Sequence, residues 1–354
     1  MKMIVPERQW VLATGGAGYI GSHVVVELVA AGFGVVILDN FENASPDVLT
    51  RLARITGFDI PVVRGDVRDK SKVAETLMRY GIDIVIHLAG KKSVGESVSG
   101  PLDYYNANVG GGIAVLEAMR ETGVGKLVFS SSATVYKAGG AGTLDENAPV
   151  GPSNPYGRTK AMLEEIITDT VASRGLTRAI SLRYFNPAGA HHSGLIGENP
   201  TAKPNNLFPF IAQTAAGLHP KVLIFGDDYP TPDGTGVRDY IHVVDLARGH
   251  VAAVEHLVAN AATADHLRVN LGTGAGYSVR AAVAAFSGAC GFDVPFEVVA
   301  RRPGDIAICV ADPGRAKQLL GWTAKLSFEQ MCADQWAFHR TCEDHNTDRL
   351  VVSG

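Results

Sequence analysis

Short, almost uninterrupted apolar runs recur along the first half of the chain, each ending at a polar or glycine-containing corner. Gln9-Trp10-Val11-Leu12-Ala13-Thr14 leads into glycines, Val35-Val36-Ile37-Leu38 ends in Asp39, and Val62-Val63 precedes Asp66. Ile84-Val85-Ile86 precedes His87, Leu127-Val128-Phe129 precedes Ser130, and Ala179-Ile180-Ser181-Leu182 precedes Arg183. Runs this short, without polar alternation, read as strands buried on both faces. The stretches between them, such as His23 to Ala31 closing at Gly32, have helical composition. Apolar strands alternating with helices predict an α/β fold, a doubly wound parallel sheet with ligands at the carboxyl ends of its strands. Past Asn186 the pattern gives way to Gly, Pro and Asn punctuation, densest over His191 to Asn206 and Asp227 to Gly236. Residues 1–186 are therefore expected to form one domain, to which 240–257 returns. Residues 187–354 are expected to form mainly a smaller, mixed α/β domain, with 343–354 a poorly ordered tail.

Composition narrows the class without naming a chemistry. At 354 residues the chain exceeds a single ordinary core, and 46% hydrophobic with 19% charged residues describes a soluble globular protein. A net charge of −4 and no dense cluster of Lys and Arg exclude nucleic acid as the expected partner. No apolar run reaches the ~18 residues that span a bilayer, and the opening Met1 to Arg8 lacks a signal peptide's apolar core, so a cytoplasmic location is expected. Cys290, Cys309, Cys332 and Cys342 are too far apart for a zinc ribbon or a redox pair and read as reduced thiols. His191 and His192 are adjacent, a poor spacing for one ion, and no metal is expected.

The corners carry the chemistry. Gly15, Gly18 and Gly21 form Gly-x-x-Gly-x-x-Gly between a strand and a helix, the Rossmann-type arrangement that brings backbone N–H groups and a positive helix end against a pyrophosphate. Asp39, at the end of the second strand, can pair with both ribose hydroxyls and would repel a 2′-phosphate, which favours NAD over NADP. Asp66 stands where it could contact adenine or simply form a turn. Ser132 ends the strand that begins near Leu127, and Tyr156 opens a helix after Pro152-Ser153-Asn154-Pro155. Lys160 follows Tyr156 by one helical turn, so both side chains share a face. A phenol with its usual pKa of about 10 is a poor base, and a nearby ammonium lowers that value.

Together these residues resemble the extended short-chain dehydrogenase/reductases, and within them the UDP-glucose 4-epimerase group. The resemblance is carried by Thr14-Gly15-Gly16-Ala17-Gly18-Tyr19-Ile20-Gly21-Ser22-His23, Val94-Gly95-Glu96-Ser97-Val98, Ser130 to Tyr136, Arg183-Tyr184-Phe185-Asn186-Pro187, Pro204-Asn205-Asn206-Leu207 and Gly234 to His242. It runs from about Val11 to about Trp336, and the last two blocks are the most specific. The resemblance implies an NAD-dependent isomerase in which Tyr156 is the base, Ser132 bonds the same sugar oxygen and Lys160 binds the nicotinamide ribose. It implies cofactor contacts at Gly15, Gly18, Tyr19, Ile20, Gly21, Asp39, Asn40, Asp66, Val67, Leu88, Ala89, Gly90, Lys92, Asn108 and Phe185, besides Tyr156 and Lys160. For the UDP-sugar it implies Lys92, Ser132, Tyr156, Asn186, Asn206, Leu207, Phe225, Arg238, Tyr240, Arg302, Asp305 and Cys309. Two arginines suit a diphosphate, and an aspartate suits ribose hydroxyls. A homodimer is implied through two helices per subunit, near Pro101 to Glu121 and Pro155 to Val171.

Two departures matter. Lys137-Ala138-Gly139-Gly140-Ala141-Gly142 is richer in glycine than the family's usual segment and reads as a mobile surface loop. Cys309 stands where enteric-type relatives carry a tyrosine, leaving room beside the sugar's C2 substituent, so N-acetylated UDP-sugars are expected as additional substrates. The rival readings are a sugar-nucleotide 4,6-dehydratase, disfavoured by the apolar surroundings of Thr134 in Ala133-Thr134-Val135, and a non-catalytic NAD-sensing protein, which would have no use for Ser132, Tyr156 and Lys160 together.

Overall fold

A computed structural model describes residues 8–137, 142–199, 204, 206–260, 265–302 and 305–352, with side chains to residue 341. The glycine-rich loop expected after Tyr136 lies mostly outside the described residues.

Seven strands form the main sheet: β1 Trp10–Thr14, β2 Gly34–Asp39, β3 Val62–Arg64, β4 Ile84–His87, β5 Lys126–Ser132, β6 Arg178–Tyr184 and β7 Asp265–Leu271. Their order across the sheet is β7-β6-β5-β4-β1-β2-β3. β1 runs parallel to β2 and β4, β2 to β3, and β4 to β5. The sequence reading of a doubly wound parallel sheet is borne out, and its physical basis is visible in β2, where every residue from Gly34 to Asp39 is buried. Register is close enough that Gly34 lies beneath the Trp10 indole, where a Cβ would meet Trp10 Cδ2 at 2.5 Å.

The chain divides into two compact units. The first comprises residues 1–131, 154–182 and 250–268, and the second 132–153, 183–249 and 269–354. The sequence alone suggests one boundary after Asn186 and a return over 240–257; in the structure the crossings are more numerous. One reason is Thr143–Leu144, which pairs with Ile308–Ala311 in a four-stranded sheet of the second unit and takes its flanking residues along.

In the first unit Leu12, Val36, Leu38, Val85, Leu127 and Phe129 from the strands pack with Leu77, Val115, Met119, Leu163 and Ile167 from helices. Helices Gly111–Thr122 and Pro155–Ala172 approach so closely that a Cβ on Gly112 would stand 2.4 Å from Leu163 Cδ2. The second unit has its own aromatic core, in which Phe328 stacks on Tyr277 with centroids 3.9 Å apart and packs against Phe208 and Tyr240. Its last helix, Phe328–Val352, continues through most of the segment expected as a tail. No Gly or Pro interrupts that stretch, so nothing in its backbone chemistry stops the helix. Among the described residues no helix is long and apolar enough to cross a membrane.

Candidate active site

Most residues expected to contact a cofactor lie in the first unit, at the carboxyl ends of β1, β2 and β4. After Thr14 the chain turns at Gly15 with φ 71°, a left-handed value that favours glycine, and a Cβ there would stand 2.7 Å from the Ala89 backbone nitrogen. Gly21 sits in the first turn of helix Tyr19–Ala30, where a Cβ would come within 2.1 Å of the Gly15 carbonyl oxygen. Gly18 occupies the N-cap without a capping side chain, which leaves the positive end of the helix to an anion. Asp39 is buried at the end of β2, its Oδ2 accepting the Ala17 N–H at 3.0 Å and its Oδ1 the Phe41 N–H at 2.9 Å. Burial pushes its carboxyl above the usual range against those two hydrogen bonds. One lone pair on each oxygen remains available for ribose hydroxyls. A cradle that side chains would fill, a helix terminus and an anchored acceptor fit a dinucleotide.

The other expected cofactor residues fall around this turn. Asp66 is held by Arg68 through two side-chain bonds of 2.9 and 2.6 Å, which bring its carboxyl down to about 2. Val67 is buried against the core, and Lys92 is exposed beyond Gly90. Asn108 occupies a one-turn π-helix, Tyr105–Gly110, inserted before helix Gly111–Thr122. There it accepts the Lys91 N–H at 2.8 Å and donates to the Lys91 carbonyl and to Thr159 Oγ1, both at 3.0 Å. The π-turn thereby locks the loop after β4 to the helix that carries Tyr156, a common use of such insertions at functional sites.

That helix, Pro155–Ala172, starts where Asn154 accepts the Gly157 N–H at 2.8 Å and Pro155 fills the first position. Lys160 is 5% exposed, and its ammonium donates to the Ser130 carbonyl at 2.7 Å. It lies 5.9 Å from the Tyr156 ring centroid and 5.0 Å from that of Phe129. Burial brings its pKa down to about 8, so near neutrality it is still mostly protonated. Ser132 ends β5, two residues beyond Ser130, and its Oγ accepts the Thr134 N–H at 3.2 Å and the Thr134 hydroxyl at 3.0 Å.

Two further buried residues, one on this helix and one at the end of β4, were not singled out from sequence. Glu164, one turn beyond Lys160, accepts the Ser131 hydroxyl at 2.5 Å and Arg268 Nε at 3.2 Å, pinning helix to strand. Its i+4 spacing was the available signal. His87, at the end of β4, shares a 2.8 Å hydrogen bond with Thr14 Oγ1. Burial, with the charge of Lys160 second, brings it down to about 3, so it is a neutral imidazole. Nothing local in the sequence marks it.

The residues expected to hold a UDP-sugar lie mainly in the second unit, in two groups. In the first group, Arg238 lies in register with Cys309 on parallel strands, and its guanidinium donates to the carbonyls of Val237 and Ile306 at 2.9 Å and faces Asp305 at 3.9 Å. Burial pushes the Cys309 thiol up, which keeps it protonated. The neighbouring Asp239 is fully buried and accepts from Thr273 N–H and hydroxyl, Gly274 N–H and Ala311 N–H at 2.7 to 3.1 Å. It ties the loop after β7 to the strand Ile308–Ala311 beside Arg238. In the second group the Arg302 guanidinium stacks 3.7 Å from the Phe225 ring centroid. Asn206 donates to Glu198 at 2.7 Å, next to Leu207 at the start of its helix. The Asn186 N–H donates to the Asp239 carbonyl at 2.9 Å and the Phe185 N–H to that of Leu271 at 3.1 Å. Tyr240 lies in the aromatic core, its phenol pushed far up by burial, so it offers packing rather than a titrating group.

Residues 11–272 match the model of the NAD dependent epimerase/dehydratase family. The UDP-glucose 4-epimerase of Bacillus subtilis (strain 168) is 52% identical over 326 residues, covering 92% of this chain and 95% of the relative. A UDP-glucose 4-epimerase from Stenotrophomonas maltophila, solved with bound NAD and formylated UDP-arabinopyranose, superposes with a TM-score of 0.92 at 48% identity, covering 96% of this chain and all of that one. The UDP-Glc/GlcNAc 4-epimerase of Campylobacter jejuni superposes with a TM-score of 0.81 at 34% identity, over 94% of this chain and 100% of that one. With the glycine turn, Asp39 and the Tyr156–Lys160 helix face in place, the chain belongs to the NAD-dependent epimerase/dehydratase family, in its branch of UDP-glucose 4-epimerases.

Proposed function

We propose that this epimerase interconverts UDP-glucose and UDP-galactose with Tyr156 as base and acid, partnered by Lys160 and Ser132. Tyr156 takes the proton of the sugar's 4-hydroxyl, and Ser132 hydrogen-bonds the same oxygen. Lys160, anchored on the Ser130 carbonyl, keeps its charge beside the phenol and favours the phenolate. The glycine turn and Asp39 would hold NAD, which would supply a reversible hydride acceptor for C4, so none would be consumed. Between the two transfers the 4-keto sugar turns about its link to the diphosphate, while Arg238 and Arg302 hold that diphosphate and Asp305 the uridine ribose. As the hydride returns to C4 from the other face, Tyr156 gives its proton back to the 4-oxygen, completing the inverted alcohol. The observation that carries this reading is the buried Lys160 ammonium between the end of β5 and the face of Tyr156.

UDP-N-acetylglucosamine and UDP-N-acetylgalactosamine are proposed as further substrates. Cys309, beside Arg238, is a small residue where a tyrosine would crowd a C2 substituent. A relative named for both sugar types supports the idea. A second copy of the chain is the proposed partner. Leu102, Ile113 and Met162 are 80%, 40% and 45% exposed on the segments expected to pair between subunits. Burying them would recover about 25 cal/mol per Å² of apolar surface.

Proton NMR of the anomeric signals tests the reaction. Purified protein incubated with UDP-glucose, with and without added NAD, is expected to give both 4-epimers with no net loss of NAD. An unchanged spectrum with NAD present would overturn the proposal, and loss of the 6-hydroxymethyl signals would replace it with an elimination.

A further inference from the structure

The loops that follow β2 and β4 are tied together across the end of β1. Both strands are direct neighbours of β1, so their carboxyl ends flank the glycine turn, about 10 Å apart at the usual strand spacing of ~4.8 Å. Glu42, in the loop after β2, and Lys91, in the loop after β4, nevertheless meet, with Lys91 Nζ 3.4 Å from Glu42 Oε1. A contact between those loops has to pass above the carboxyl end of β1, where the glycine turn is shaped for a pyrophosphate.

Both ends of this bridge are anchored. The Glu42 N–H donates to Asn40 Oδ1 at 3.0 Å, and Asn40 Nδ2 donates to Glu42 Oε2 at 3.5 Å. Phe41 between them has φ 60°, a left-handed value rare for a bulky residue, held by its N–H on Asp39 Oδ1. On the other side, Asn108 clasps the Lys91 N–H and carbonyl at 2.8 and 3.0 Å. A charge pair fixed at both bases has less side-chain freedom to lose on closing than two loose surface residues.

We infer that Glu42 and Lys91 form an ion-pair strap over the bound dinucleotide that sets how fast it leaves. The inference rests on the assignment of the glycine turn and Asp39 to NAD. The strap is half-exposed, with side chains 53% and 32% accessible, so its strength is that of a surface pair and is reduced by salt.

The test measures release rather than turnover. Protein loaded with NAD is mixed with excess NADH, and the rise in fluorescence as NADH takes the site reports the dissociation rate of NAD. Glu42→Gln and Lys91→Met are each expected to release NAD about two- to five-fold faster, the size of an exposed pair. The exchanged pair, Glu42→Lys with Lys91→Glu, is expected to return the rate toward the parent value, and ~1 M salt to erase the difference between parent and single variants. Equal rates in all four proteins would overturn the strap while leaving the cofactor site intact. Faster release in Lys91→Met alone would also overturn it, by making Lys91 a direct phosphate ligand. A parent protein that binds no NAD would overturn the cofactor assignment itself.

Discussion

Lys160→Met separates what the active site needs from what the fold prefers. Folding moves the Lys160 ammonium from water, where its pKa is 10.5, into surroundings that lower it to about 8 through burial. That drop corresponds to about 3 kcal/mol of unfavourable free energy at neutral pH, where both folded and unfolded chains carry the proton. The group's folded pKa lies below its unfolded one, so between about 8 and 10.5 the unfolded chain binds more protons and stability rises with pH. Methionine has a similar length and no charge, so it carries no such penalty, although it strands the Ser130 carbonyl that the ammonium satisfies. That loss, about 1–3 kcal/mol, is the same at every pH and cancels when the two proteins are compared across pH. Urea unfolding of cofactor-free parent and variant at pH 7 and pH 10 is therefore expected to show the variant losing about 2–3 kcal/mol of its relative stability over that interval. The variant's turnover should fall by about 10²–10⁴-fold, because the phenolate loses its cation. A stability difference that stays constant between pH 7 and pH 10 would refute the reasoning, since a buried ammonium cannot be silent in that window.

Three further outcomes follow from particular contacts. Gly21→Ala places a Cβ 2.1 Å from the Gly15 carbonyl, so the helix must retreat from the turn; a loss of about 1–3 kcal/mol in urea and of NAD retention on gel filtration is expected, and unchanged retention would contradict it. Asp239→Asn replaces a carboxylate that accepts four hydrogen bonds with an amide that confronts some of those donors with its own NH₂. Calorimetry should then show weaker UDP binding alongside a stability loss of about 2 kcal/mol, whereas intact binding would detach Asp239 from the positioning of Arg238. Cys309→Tyr fills the space beside Arg238 and should lower kcat/KM for N-acetylated UDP-sugars about 10-fold or more relative to plain ones. An unchanged ratio would remove Cys309 as a determinant of specificity.

The sequence by itself determined the features that depend on neighbours along the chain. Apolar runs such as Val35 to Leu38 suit strands covered on both sides, glycines at 15, 18 and 21 permit a tight turn into a helix, and Tyr156 and Lys160 share a face through helical periodicity alone. The parallel sheet and the shared helix face of Tyr156 and Lys160 were legible for that reason. Strand partners were not, because an apolar run fits against many others and the choice is made by packing across long separations. Thr143–Leu144 joining Ile308–Ala311 belongs to this class, as does Asp265–Leu271 becoming the edge strand of the main sheet. The same limit hid the supports of the site. Glu164 on Ser131, His87 on Thr14 and Glu42 against Lys91 are ordinary residues until the fold brings loops from separate strands to one end of the sheet. The sequence specifies which groups can react, and the tertiary structure decides which are desolvated, which are held and what lies across them. Burial and long-range contact exist only once the chain has closed on itself.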